Sequence, residues 1–242
     1  MTHSAQKLQN IFAQGGGIVF FGGAGVSTAS GIPDFRSAQG LYRESYAYPP
    51  EQILSHTFFR THPKEFFAFY RDKMLYLDAE PNAVHDGLAR LEKAGKLDAV
   101  VTQNVDGLHQ KAGSKRVLEL HGSVHRNYCM DCGKTYDALF VKQSQGVPLC
   151  GCGGCVRPDV VLYEEGLDDA VVRQAVEAVR NARVLIVGGT SLVVYPAAGF
   201  VDYFKGEQLV IINRTPTGRD HQADLLISED IAQIFEEIGV DV

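Results

Sequence analysis

The stretch Ile18-Val19-Phe20-Phe21-Gly22-Gly23-Ala24-Gly25-Val26-Ser27 joins four consecutive apolar residues to a cluster of glycines. An uninterrupted apolar run of this length reads as a strand buried on both faces, the kind found in parallel sheets. Small residues directly after it let backbone N–H groups come close to a phosphate, and the dipole of a following helix adds to that attraction. The turn lacks the Gly-Lys-Ser/Thr ending of a P-loop, so it does not point to nucleoside triphosphate hydrolysis. Nor does it carry the acidic residue that the common dehydrogenase fingerprint places about 20 positions on.

Three more short apolar runs lie further along: Ala99–Thr102, Val184–Val187 and Leu209–Ile212. They end in Gln103-Asn104, Gly188-Gly189-Thr190-Ser191 and Asn213-Arg214-Thr215 respectively. Open α/β sheets place their ligand contacts just beyond such carboxyl ends. Between the runs, Leu167, Val171, Ala175, Val179 and Ala182 recur at helical spacing, with Asp168 and Asp169 at the favourable N-terminal end. Pro81–Ala94 and Asp230–Ile238 read the same way. The alternation predicts an α/β fold, a Rossmann-like doubly wound parallel sheet.

Two stretches break the alternation. Leu41–Glu80, with Pro49-Pro50 and the run Phe66-Phe67-Ala68-Phe69-Tyr70, reads as a helical insertion following a mobile loop. Val124–Val156 holds every cysteine and too little apolar material for a core of its own, so a metal would supply its stability. The expected division is a large Rossmann-like domain of residues 1–40, 81–123 and 157–242. A smaller helical and zinc-binding domain would comprise residues 41–80 and 124–156.

With 242 residues, 45% hydrophobic and 21% charged, the chain is not a disordered one. Its net charge of −6 argues against non-specific nucleic-acid or anionic-membrane binding. The apolar runs fall far short of the roughly 20 residues of a membrane span. Met1–Gln14 has no basic start followed by a hydrophobic core, so the expectation is a cytoplasmic protein in a reducing compartment. There, five cysteines in Cys129–Cys155 argue for metal rather than disulfides. Cys129-Met130-Asp131-Cys132 and Cys150-Gly151-Cys152-Gly153-Gly154-Cys155 are separated by 17 residues, a spacing suited to a closed tetrahedral zinc site. Cys129, Cys132, Cys150 and Cys152 are the favoured ligands, with Cys152 and Cys155 the alternative second pair. The absence of an open position makes this a structural Zn²⁺.

More specific motifs surround the glycine turn. Gly31-Ile32-Pro33-Asp34-Phe35-Arg36-Ser37 follows it directly. Thr102-Gln103-Asn104-Val105-Asp106-Gly107-Leu108-His109 and Glu119-Leu120-His121-Gly122 come next, then Gly189-Thr190-Ser191-Leu192-Val193-Val194-Tyr195-Pro196. With the paired cysteines, and over about Gly22 to Asp230, the chain resembles the sirtuins, NAD-dependent protein deacylases. The resemblance implies that NAD is a consumed co-substrate. Its nicotinamide–ribose bond breaks, the acyl-lysine amide oxygen attacks the ribose carbon, and nicotinamide and 2′-O-acyl-ADP-ribose leave.

That chemistry needs a carboxamide pocket, a dry ribose site and a base for a ribose hydroxyl. The resemblance assigns His121 as the base, since an imidazole takes a proton near neutral pH. It sets Asn104 and Asp106 beside it as the other catalytic groups. It carries NAD binding to Ala24, Thr28, Phe35, Arg36, Gln103, Val105, Asp106 and His121. Gly189, Thr190 and Ser191 belong to the same set, with Asn213, Asp230 and Ile231 on the adenosine half. Arg157-Pro158-Asp159-Val160-Val161-Leu162-Tyr163 is similar to the family's peptide-clamping strand, which would bind an extended chain by backbone pairing. Val160, Val161 and Tyr163 would face Val193, Val194 and Tyr195 across the peptide.

The chain departs from the family pattern where Tyr163-Glu164-Glu165 replaces the usual Phe-Gly-Glu. Sirtuins that prefer succinyl- or malonyl-lysine carry a Tyr and an Arg three positions apart in the helical insertion. Phe67 and Tyr70 stand at the corresponding places, and Arg71 is one position on, about 100° around a helix. An acetyl or longer uncharged acyl group is expected, on a protein or peptide bound by a monomer. A mono-ADP-ribosyltransferase and a non-catalytic NAD-sensing module are the rival functions on this scaffold.

Overall fold

The structure is a computed structural model that describes residues 1–35, 40 and 47–239; Arg36 and the loop expected before the helical insertion lie outside the described residues. The chain opens with helix α1 (His3–Ala13) and strand β1 (Ile18–Gly22). The first insertion forms helices α2 (Pro50–Ile53), α3 (His56–Thr61) and α4 (Pro63–Lys73). Helix α5 (Ala83–Lys93), strand β2 (Leu97–Thr102), helix α6 (Leu108–Ala112) and strand β3 (Val117–Glu119) follow. Strands β4 (Gly122–Cys129) and β5 (Thr135–Tyr136), helix α7 (Ala138–Gln143) and strand β6 (Val156–Val160) come next. Helix α8 (Asp169–Asn181), strands β7 (Val184–Gly188), β8 (Gln208–Ile212) and β9 (Leu225–Ile227), and helix α9 (Ile231–Ile238) complete the order.

Six strands form one sheet in the order β3-β2-β1-β7-β8-β9, and every pairing in it is parallel. Counted along that sheet, this is the 3-2-1-4-5-6 order of doubly wound dinucleotide folds, which reverses between β1 and β7. All five residues of β1 are buried, as are all five of β7. Alternation explains how: Ile18 and Phe20 enter the core on one face with α1, α5 and α9, while Val19 and Phe21 enter the core on the other with α8. The expected Rossmann-like sheet is therefore the fold.

Helix boundaries follow the caps. Asp168 accepts from Ala170 N and Val171 N at the start of α8, and Asp230 accepts from Ala232 N and Gln233 N at the start of α9. Asn82 accepts from Val84 N, and its own N–H donates to His85 Nδ1, closing a capping box on α5. The sequence reading had not assigned α1, β3 or β9. Helix α1 buries only Ala5, Leu8, Ile11 and Phe12, with the Phe12 and Phe235 rings 6.0 Å apart. Its partner α9 lies more than 200 residues away, a distance that a local pattern does not register.

A second, three-stranded antiparallel sheet has the order β5-β4-β6, leaving β6 at an edge. Strand β4 runs without a break through the boundary drawn between residues 123 and 124, and β6 through that between 156 and 157. One core unites the two insertions: Phe58, Phe66 and Tyr70 pack with Val124, Val141 and Val156. Among the described residues no helix is long and apolar enough to cross a membrane.

Candidate active site and metal centre

The sheet reverses where β1 and β7 end side by side, with Gly22 paired to Gly188. Just beyond, Gly25 N donates to the Gly189 carbonyl over 2.8 Å. A Cβ on Gly25 would lie 2.8 Å from Gly189 Cα, so two backbones meet here at a separation only glycine allows. A cavity of about 400 Å³ opens over these strand ends. Ala24, Phe35, Val105, Ser191, Asn213 and Ile231 line it, as do Gly189, Thr190 and Asp230. Val160, Val161, Tyr163, Val194 and Tyr195 line it too. Thr28 and Val193 do not: Thr28 Oγ1 donates to the Gly25 carbonyl over 3.0 Å, bracing the turn, and Val193 is exposed. Asp230 caps α9 and lies 3.5 Å from Arg214, while Asn213 Nδ2 donates to the Thr215 carbonyl over 2.7 Å.

Gln103, Asn104, Asp106 and His121 come from the end of β2 and the turn after β3, and all four face the cavity. Asn104 Nδ2 donates to Ser27 Oγ over 3.1 Å, and Ser27 Oγ donates to Asp106 Oδ2 over 2.7 Å. The second carboxylate oxygen of Asp106 accepts from Leu108 N over 2.9 Å. Gln103 Nε2 reaches Thr190 Oγ1 over 3.1 Å, joining the β2 end to the β7 end. Ser27 was not among the expected site residues. Its signal was available: a hydroxyl in the turn after β1, where the strand ends converge.

His121 Nδ1 lies 2.9 Å from the Gln103 carbonyl oxygen. A carbonyl can only accept, so Nδ1 carries the proton and Nε2 keeps its lone pair. Burial lowers the imidazole pKa from 6.5, and the bond to Gln103 opposes that shift. A neutral ring with one fixed tautomer is the state a general base requires.

Edge strand β6 continues into the clamp segment. Val161 N donates to the His121 carbonyl, Tyr163 N to that of Leu54, and His56 N to that of Tyr163, each over 3.0 Å. Arg157 grips Glu165 with two bonds of 2.9 and 3.0 Å. Burial pushes the Glu165 pKa up, but the bonds from Arg157, His56 and Leu162 N outweigh it and hold the pKa at about 2. Phe67 and Tyr70 are fully buried in the small core rather than lining the cavity. Arg71 also stays off the cavity, 5.9 Å over the Phe67 ring and 3.4 Å from Ser144 Oγ.

The sulfurs of Cys129, Cys132, Cys150 and Cys152 all lie within 4.8 Å of one another. Cys129 and Cys152 are 3.5 Å apart, Cys132 and Cys150 3.6 Å. A tetrahedral zinc with bonds of about 2.3 Å needs sulfur–sulfur edges of about 3.8 Å, so the donor set and its size fit Zn²⁺. Tyr136 OH donates to Cys150 Sγ over 3.0 Å, support from outside the ligand set. A Cβ at Gly154 would lie 2.7 Å from Cys129 Sγ, which explains the glycine there. Cys155 is outside the cluster and packs, half-buried, against the small core.

A parallel sheet reversing beneath a pocket at its strand ends, with a small four-cysteine zinc module beside it, defines a dinucleotide-binding protein of the α/β class. Residues 23–196 match the Sir2 family. The chain is 59% identical over 236 residues to an NAD-dependent protein deacetylase of Clostridium acetobutylicum, covering 96% of each. It is 56% identical over 242 residues to the protein of the same name from Clostridium perfringens, covering 98% of this chain and 99% of that one. Among solved structures, Sir2 with a p53 peptide and NAD⁺ is similar with a TM-score of 0.85 and 38% identity, covering 98% of this chain and 97% of that one. Sir2 with deacetylated p53 peptide and 3′-O-acetyl ADP ribose gives 0.89 and 37%, covering 97% of each. The chain belongs to the Sir2 family, the sirtuins.

Proposed function

We propose that this protein is an NAD-dependent protein-lysine deacetylase that consumes NAD and releases nicotinamide and 2′-O-acyl-ADP-ribose. One observation carries the mechanism: His121 is held by the Gln103 carbonyl as the Nδ1–H tautomer at the cavity wall, its Nε2 unprotonated. In this reading Nε2 takes a proton from a ribose hydroxyl of bound NAD. NAD would supply the activated ribose carbon that the amide oxygen attacks and the ribose hydroxyl oxygen that finally carries the acyl group. Gln103, Asn104 and Asp106 hold the ribose and carboxamide, and Ser27 fixes the side chains of Asn104 and Asp106 relative to one another. Ala24, Phe35 and the turn at Gly189–Ser191 offer the pocket for the rest of the dinucleotide.

The substrate is an acylated lysine on a protein or peptide, laid along the β6 edge and its extension to Tyr163. Arg71 sits off the cavity, which supports an uncharged acyl group. The four-cysteine site is structural: its ligand set leaves no open position for water activation. The common core of the two insertions supports residues 41–80 and 124–156 as one small domain beside the large one. The four thiols support a reducing compartment, with action as a cytoplasmic monomer. The net charge of −6 supports a protein without nucleic-acid partners.

The test is mass spectrometry of an acetyl-lysine peptide incubated with the protein, with and without NAD. Loss of the acetyl group only with NAD, together with nicotinamide and acetyl-ADP-ribose, is the expected result. An ADP-ribose adduct on the peptide instead would mark a transferase, and NAD binding without nicotinamide release a sensing module.

A further inference from the structure

Glu164 has a φ of 75°, in the left-handed region where glycine sits freely and a glutamate is disfavoured. Its side chain is tied down: Oε2 accepts from Thr57 N over 2.9 Å and from Thr57 Oγ1 over 2.7 Å, at the first turn of α3. The loop after the clamp strand is thus fastened to the small domain through a carboxylate. The residue is exposed and lines the cavity beside Tyr163. Among the described residues no lysine or arginine lies within ion-pair distance of it. The neighbouring Glu165 differs, since Arg157 and His56 hold its charge. Val194 and Tyr195, which line the same cavity, carry no charge. Among the described residues, therefore, the Glu164 carboxylate is held by Thr57 and attracted by His56 but is met by no lysine or arginine, and it stands at the edge of the peptide groove.

We propose that Glu164 is a specificity-determining residue that selects acyl-lysine peptides carrying Lys or Arg within two residues of the acyl-lysine. The assignment rests on the deacetylase reading. Its range follows from strand geometry and screening. Same-face residues of an extended peptide are about 7 Å apart, and free charges lose contact beyond about 8 Å at physiological salt. Because Glu164 touches none of the reacting groups, its effect belongs in KM rather than kcat.

The test is steady-state kinetics with NAD and three acetyl-lysine peptides, flanked by lysine, alanine or glutamate. The wild-type protein is expected to rank them in that order, with a lysine-to-glutamate ratio in kcat/KM of about fivefold, the size of an exposed ion pair. The ratio lies in KM and shrinks as salt rises. Glu164→Gln keeps an acceptor for Thr57 and removes the charge, so the ratio should fall to near one. Glu164→Gly relieves the backbone and should give the same flattening. A flat ratio in the wild type, or an unchanged ratio in both variants, overturns the assignment alone. No turnover of any of the three peptides overturns the deacetylase reading, and the assignment with it.

Discussion

Ser27 Oγ donates to Asp106 Oδ2 over 2.7 Å, from a turn 79 residues earlier in the chain. The same hydroxyl accepts from Asn104 Nδ2, so one buried side chain sets the spacing of two groups at the cavity wall.

Ser27→Ala removes both bonds and leaves a carboxylate oxygen and an amide without their partner, a loss of about 1–3 kcal/mol. The expected outcome is a fall in kcat/KM of about 10- to 100-fold, with the melting temperature lowered by about 2–12 °C. Nicotinamide release and thermal denaturation measure the two. A variant with full activity would remove Ser27 from the site.

His121→Ala is expected to abolish turnover while circular dichroism shows the fold intact. Because burial lowers the imidazole pKa, the neutral base predominates at pH 7. Acid protonates it, so kcat/KM should be level near neutral pH and decline only below pH 6.5. A rate that falls as pH rises through 6.5 would assign the proton the opposite way.

Elemental analysis should find one zinc per chain. Cys132→Ser and Cys150→Ser should each lose it, and Cys155→Ser should keep it. Ligand binding by such sites contributes on the order of 10–16 kcal/mol, so a strong chelator should loosen the small domain. Near-ultraviolet circular dichroism of its aromatic cluster reports that change. Zinc retained in Cys150→Ser and lost in Cys155→Ser would reverse the ligand assignment.

His85 and His109 lie with ring centroids 4.7 Å apart, and among the described residues His85 Nε2 and both His109 nitrogens are buried without a hydrogen-bond partner. Burial lowers the His85 pKa to about 4, against the opposing pull of Asp106, and lowers the His109 pKa to about 3. Unfolded histidines bind protons below about pH 6.5 while the folded ones do not, so the folded state is favoured above that pH and loses ground as acid is added. Stability in urea should fall between pH 6.5 and about 4, by up to about 1.4 kcal/mol per pH unit for each histidine. His109→Phe should flatten that slope, and an unchanged slope would contradict the assignment.

The strand ends were legible because each element there is locally encoded. Ile18–Phe21 and Val184–Val187 are continuous apolar runs, and glycines follow both. The observed strands extend each by a single glycine, Gly22 and Gly188. Helices α8 and α9 were legible through Asp168 and Asp230, whose cap bonds are made within three residues. Strands β3 and β9 have only three residues each, too few to show a period, and hold their place by pairing with β2 and β8. Strand β4 was hidden because residues 124–126, Val-His-Arg, carry no alternating pattern; its pairing with β6 shifts register across that stretch and is made on either side of it, at Gly122–Ser123 and Asn127–Cys129.

The sequence by itself determined the parallel sheet, the glycine turn, the order of the motifs and the number of thiols at hand. Each depends on neighbours within a few residues or on residue type alone. Only the tertiary structure decided that Ser27 joins Asn104 to Asp106, that Gln103 fixes the tautomer of His121, and that Cys150 rather than Cys155 meets Cys132. It also decided that Phe67 and Tyr70 face the small core instead of the cavity. These are contacts between residues far apart in the chain. Their geometry is set by how two sheets and their helices pack, which no local pattern encodes.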